Sequence, residues 1–120
     1  MAEAIDPASI SCYHAHIYYE GESREVAAQL REAIEGKFKV VMGRWQEKPI
    51  GPHPRAMYQV KFDPAEFARI VPWLMLNRSG LDILVHPETG DDYTDHAVNA
   101  LWLGEKLKLR LEVFRRAKKS

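Results

Sequence analysis

The chain has a single cysteine, Cys12, which excludes an intramolecular disulfide and any zinc site built from several thiolates. Net charge is also lacking: Lys plus Arg and Asp plus Glu both number 17, so the basic excess common in nucleic-acid binders is missing. The one local surplus is the tail Arg115-Arg116-Ala117-Lys118-Lys119, which a solvated terminus explains more cheaply than a phosphate-binding arm. No apolar run approaches the roughly 20 residues of a membrane span. The richest, Ile70 to Leu76, is short and interrupted by Pro72. Residues 1–11 carry Glu3 and Asp6 and hold no hydrophobic segment of signal-peptide length. These absences predict a cytoplasmic protein in a reducing compartment, with neither nucleic acid nor membrane as partner.

What is present reads as one domain over residues 1–120, long enough to bury a core without staples, with residues 1–11 as a loose lead-in. Tyr13 to Tyr19 is aromatic and β-prone, a strand followed by a turn at Glu20-Gly21-Glu22-Ser23. Val26, Leu30 and Ile34 recur at helical spacing from an N-cap at Ser23 to a C-cap at Gly36. Phe38 to Met42 is a short apolar strand, and three prolines and a glycine make Gln46 to Pro54 a loop of restricted shape. Arg55 to Phe62 alternates again. Asp63-Pro64 then opens a second helix whose buried stripe is Phe67, Ile70, Val71, Leu74 and Met75. After Gly80, Leu81 to His86 is another strand. The order strand, helix, strand, strand, helix, strand is the α+β, ferredoxin-like βαββαβ two-layer sandwich, with both helices on one sheet face. Leu107, Leu109, Leu111 and Val113 alternate with polar residues and predict an extra C-terminal strand. Placed within residues 105–116, such a strand would lie at the interface of a homodimer.

Strand parity then sorts the histidines. Ala15, Ile17 and Tyr19 belong under the helices, as do Ala56, Tyr58, Val60 and Phe62, and Ile83 and Val85. His14, His16 and Tyr18 fall on the opposite, open face, with Arg55, Met57 and Gln59 and with Asp82, Leu84 and His86. The first and third strands are central and the fourth adjoins the first. His14, His16 and His86 should therefore meet, with Arg55 and His53 at the edge of the group. Three convergent imidazoles suit Fe(II), Zn or Mn better than Mg or Ca. The competing reading is a set of polar residues satisfied by neighbours and water. Glu20 completes a His-x-His-x-x-x-Glu pattern like that of cupin barrels, but two helices argue against an all-strand fold. As a carboxylate ligand Glu20 competes with a plain turn role. In His86 to His96, Asp91 and Asp95 read as helix caps, and His96 as surface decoration or a partner of the site.

Read together, Tyr13-His14-Ala15-His16-Ile17-Tyr18, Gly51-Pro52-His53-Pro54, Leu84-Val85-His86-Pro87-Glu88-Thr89-Gly90, and Asp95-His96 ahead of Ala100-Leu101-Trp102-Leu103-Gly104 resemble the DOPA 4,5-dioxygenase family. Each motif alone is common; the ordered set, spanning residues 13–104, is specific. The resemblance implies a ferredoxin-like fold with an added C-terminal strand used in dimerisation. The activity it implies is extradiol cleavage of a catechol such as DOPA with O2. In that reading His14, His16 and His86 hold Fe(II), with Zn possible in the isolated protein. His53 or His96 is the acid/base, Tyr18 donates to bound oxygen, Arg55 meets a substrate carboxylate, and Trp102 belongs to the substrate pocket. Glu20 and Glu88 are the carboxylates available to complete a two-histidine, one-carboxylate set, and His53 and His86 could exchange roles. Two other functions remain compatible with the residues: a zinc enzyme of hydrolase type at the same histidines, and a non-catalytic ligand-binding dimer.

Overall fold

The computed structural model describes residues 3–114. Five strands, β1 (Cys12–Tyr19), β2 (Val41–Met42), β3 (Ala56–Phe62), β4 (Ile83–Glu88) and β5 (Leu101–Leu103), make one antiparallel sheet in the order β2-β3-β1-β4-β5. Helices α1 (Arg24–Lys37) and α2 (Phe67–Asn77) intervene as expected, giving the ferredoxin-like βαββαβ with β1 and β3 central and β5 added beside β4. The short helix α3 (Asp92–Ala97) bridges β4 and β5.

The apolar parity of the strands dictates which face the long helices cover. Ala15, Ile17, Tyr58, Val60, Phe62, Ile83 and Val85 are buried against Ala27, Leu30 and Ile34 of α1 and Ile70, Val71 and Leu74 of α2. Tyr58 also donates its buried hydroxyl to the carbonyl of Ala27 at 2.8 Å, tying α1 to the sheet. Met75 does not complete the α2 stripe: it is about half exposed, because the covered arc of α2 is narrower than its run of apolar residues. Helix α1 runs through Gly36 to Lys37, so Gly36 lies in its last turn and not at its cap. The segment from Phe38 pairs only at Val41–Met42.

The opposite face is not open. Tyr18, Met57 and Leu84 form a second small core there with Leu107, and Trp102 and Leu109 pack against it. The extra strand is accordingly Leu101–Leu103, and residues 107–114 do not form one. Residues 106–110 run without regular structure across the sheet face, Arg110 N–H donates to the Pro52 carbonyl at 2.8 Å, and residues 112–114 are helical. A period of two means alternating sides, not ladder pairing. Here Leu107 points down onto the sheet while Lys106 and Lys108 point out. Residues 115 and 116 of the expected strand lie outside the described residues. Among the described residues, no helix is long and apolar enough to cross a membrane.

Candidate metal centre

Under this strap and α3 the sheet gathers all five histidines. Antiparallel pairing sets His14 directly across from His86, and His16 lies two residues along β1 on the same face. The turn at Ile50 to His53, closed by His53 N–H to the Ile50 carbonyl at 3.0 Å, delivers His53 over His16, their ring centroids 4.1 Å apart. His96 comes from α3, whose N-terminus is capped by the Asp91 side chain. Asp95 does not cap. Fully buried, it accepts from Thr89 N–H at 2.8 Å and from the Thr89 hydroxyl at 2.5 Å. That pair of bonds locks α3 to the loop after β4 and holds His96 over His86, with centroids 3.8 Å apart.

Hydrogen bonds at the rim select the tautomers. A carbonyl oxygen can only accept, so His86 Nδ1–H donates to Pro87 O (3.0 Å) and His96 Nδ1–H to Asp92 O (2.8 Å). His14 Nδ1 likewise faces the Glu88 carboxylate at 2.9 Å. In each ring the Nε2 lone pair is then left for the interior, the arrangement by which outer partners orient metal-binding imidazoles. His16 Nε2 lies 3.0 Å from His86 Nε2, and with His86 Nε2 unprotonated His16 is the donor of that bond. His16 Nδ1 is buried with no partner.

A buried imidazole nitrogen with no hydrogen-bond partner is available to ligate, and a metal ion is the partner its chemistry suits best. Two sets of ligand atoms qualify, each with all members within 4.8 Å of one another: His14, His16 and His86, and His16, His53 and His96. Both are all-nitrogen sets of neutral rings, a donor chemistry that fits Fe(II), Zn or Mn and not Mg or Ca. Among the described residues no carboxylate joins either set. Glu88 is an outer partner of His14, and Glu20, exposed, pairs with Arg55 at 3.4 Å, away from the histidines.

The remaining predicted residues fall as follows. Tyr18 Oη lies 2.7 Å from His53 Nδ1 and its ring stacks on Trp102, with centroids 5.9 Å apart. Trp102 and His96 share the wall of a cavity of about 240 Å³ with Leu107 and Leu109. Arg55 is drawn off the cluster: it meets Glu20 and Asp82, each at 3.4 Å, beside a separate cavity of about 160 Å³. Sequence reasoning missed the Phe114 ring, which packs on His96 at 4.7 Å. Its only signal was one aromatic next to Val113, just ahead of the charged end of the chain.

The profile of the Dopa 4,5-dioxygenase family matches residues 13–113. The chain belongs to this family. Within and around the Dopa 4,5-dioxygenase family it is similar to an uncharacterised 21.2 kDa protein of Botryotinia fuckeliana, 37% identical over 98% of this chain and 71% of that one. It is 33% identical to the DOPA 4,5-dioxygenase of Amanita muscaria over 82% of its own length and 47% of that protein's, so it spans about half of that relative. A crystal structure of a candidate dioxygenase from Nostoc punctiforme superposes with a TM-score of 0.94 at 56% identity, covering 95% of this chain and 99% of that one.

In this Dopa 4,5-dioxygenase family member, burial lowers the affinity of every imidazole for protons. Desolvation, followed by the neighbouring rings or Lys61, takes His14 and His53 down to about 4 and His86 to about 3, and lowers His16; desolvation alone lowers His96, against the opposing pull of Asp92 and Asp95. All five rings are therefore neutral near pH 7, the form in which nitrogen can ligate. Below the ordinary value of 6.5 the unfolded chain binds protons that the folded chain refuses, so acid favours unfolding. The metal-free protein should show a Tm independent of these groups above about pH 6.5 that falls steadily on acidification toward about pH 4. Thermal melts in chelator across that range check it; a flat Tm would contradict the burial described.

Proposed function

We propose that this chain is an extradiol dioxygenase: it opens a catechol with O2 at the ring bond beside, not between, the two hydroxyls. The observation that carries the proposal is the buried, all-imidazole cluster with an orphaned His16 Nδ1, found in a member of a dioxygenase family. His14, His16 and His86 would hold Fe(II). Bound there, Fe(II) supplies the one-electron chemistry that lets a closed-shell catechol react with O2.

The chain's own residues do the rest. His53, held at Nδ1 by Tyr18, is placed to take a catechol proton and return it to the product. With Nδ1–H donating to Tyr18 Oη, the Nε2 lone pair of His53 is free to act as base, and the same bond persists in the imidazolium. Burial pushes the Tyr18 phenol up, so it stays protonated and remains a donor toward developing negative charge. His96 Nε2 offers a second base in the same group, its ring centroid 6.2 Å from those of both His16 and His53. Leu107 and Phe114 keep water from the cluster, and the cavity at Trp102 offers an aromatic wall for the substrate ring. The catechol class is taken over from the Amanita relative, whose name specifies DOPA.

Atoms balance without a further reductant: one carbon–carbon bond of the ring breaks and both atoms of O2 stay in the product. Turnover of L-DOPA under isotopically labelled O2, read by mass spectrometry, should give a ring-opened product carrying two labelled oxygens for each O2 consumed. Absence of O2 uptake, with activity supported by Zn, would move the site to the hydrolase class.

A further inference from the structure

The catechol reading leaves open which residue recognises the rest of the substrate, and the cation placed there by sequence reasoning is already engaged. Arg55 has two carboxylates, Glu20 and Asp82, and a substrate would have to displace one of them. We propose instead that Lys61 reads an anionic substituent on the substrate, so that the site selects catechols bearing a carboxylate. The inference rests on the catechol reading above and extends it to a residue that the histidine motifs do not include.

Three observations place Lys61 at the mouth of the site. First, β3 pairs with β1 so that Lys61 stands directly across from His14, on the histidine face, where cross-strand Cβ atoms are about 5 Å apart. Second, His14 is the only one of the five imidazoles that is not buried; its side chain keeps 18% of its exposure. A ligand that reaches the cluster from solvent at His14 therefore passes Lys61. Third, Lys61 is exposed and no ion pair holds it among the described residues, although its charge acts on both His14 and Glu88. Its ammonium thus acts on the cluster without being paired to Glu88, whose carboxylate is held by His14.

The residue beside Lys61 on the outer side is Val41, which is exposed and carries no charge. Gln59, two residues before Lys61, faces His16 across the ladder. The residue beside Gln59 on the outer side is Gly43, where even a Cβ would stand 3.2 Å from Gln59 Cβ. Lys106 and Lys108 flank the other cavity, at His96, and are the competing cations for the same task.

The test is anaerobic equilibrium binding of protocatechuate and of 4-methylcatechol to the Fe(II)-loaded protein, followed by tryptophan fluorescence and repeated at raised salt. One charge-assisted contact predicts about tenfold tighter binding of protocatechuate, a preference that shrinks as salt is added. Lys61→Met should abolish that preference while leaving 4-methylcatechol affinity unchanged, and Lys61→Arg should retain most of it. A preference that survives Lys61→Met, that is removed instead by Arg55→Met or by Lys106→Met with Lys108→Met, or that is absent from the unsubstituted protein overturns the assignment. Binding of neither catechol is a different failure: it strikes the catechol reading itself, and this inference falls with it.

Discussion

His16→Ala should give a folded chain with no Fe(II) bound in stoichiometric amount and turnover at background. His16 belongs to both sets of candidate ligands, so its loss cannot be made good by moving the ion from one set to the other. Folding should survive because two effects oppose each other. Removing a buried ring costs packing of the order of a few kcal/mol. Removing the unpartnered Nδ1 returns about 1–3 kcal/mol that burial of an unsatisfied polar atom had cost. Circular dichroism and a melt establish the fold, metal analysis the ion, and O2 uptake the activity. A His16→Ala protein that keeps metal and turnover would remove His16 from the centre.

His53→Gln carries the second large effect and separates the two ligand sets. If His14, His16 and His86 hold the ion, His53 acts on protons, and His53→Gln should keep metal while kcat falls by about 10²–10⁴. Glutamine preserves a polar group near Tyr18 but cannot accept and release a proton near neutral pH. If instead His16, His53 and His96 hold the ion, the same substitution should lose the metal, and His86→Gln should be the variant that keeps it. Metal content measured beside kcat decides between them; equal metal and undiminished kcat would exclude His53 from both roles.

Most of the histidine geometry was legible in the sequence because strand parity is a hard rule and the apolar sides were unambiguous. Ala15 and Ile17 had to face the helices, which sent His14 and His16 to the other side, and β4 beside β1 brought His86 to them. The cover over that face was not read, although the signal existed. Tyr18, Met57 and Leu84 all lay on a face taken to be open, and three large apolar residues there asked for a partner. Leu107 supplies it. The alternation around Leu107 was read as ladder pairing because a period of two reports extended backbone and says nothing of hydrogen-bond partners.

Arg55 shows a different limit. Parity placed it with Met57 and Gln59, but it precedes β3 and its long side chain turns along the sheet end to Asp82. Asp82 also accepts from Glu105 N–H at 2.8 Å, so it joins Arg55 to the start of the strap. Long-range ion pairs of this kind leave no local pattern in a sequence. His96 was ambiguous for a similar reason, since its placement depends on the Asp95–Thr89 lock and not on the short helix that carries it.

The most direct test of the histidine centre as a catechol-opening site is anaerobic loading with Fe(II), addition of L-DOPA, then admission of air while the visible spectrum is recorded. A growing yellow absorbance in the unsubstituted protein, absent in His16→Ala and absent when Zn replaces Fe(II), is the predicted result. No new band from the Fe(II)-loaded protein with L-DOPA, caffeate or protocatechuate would contradict it.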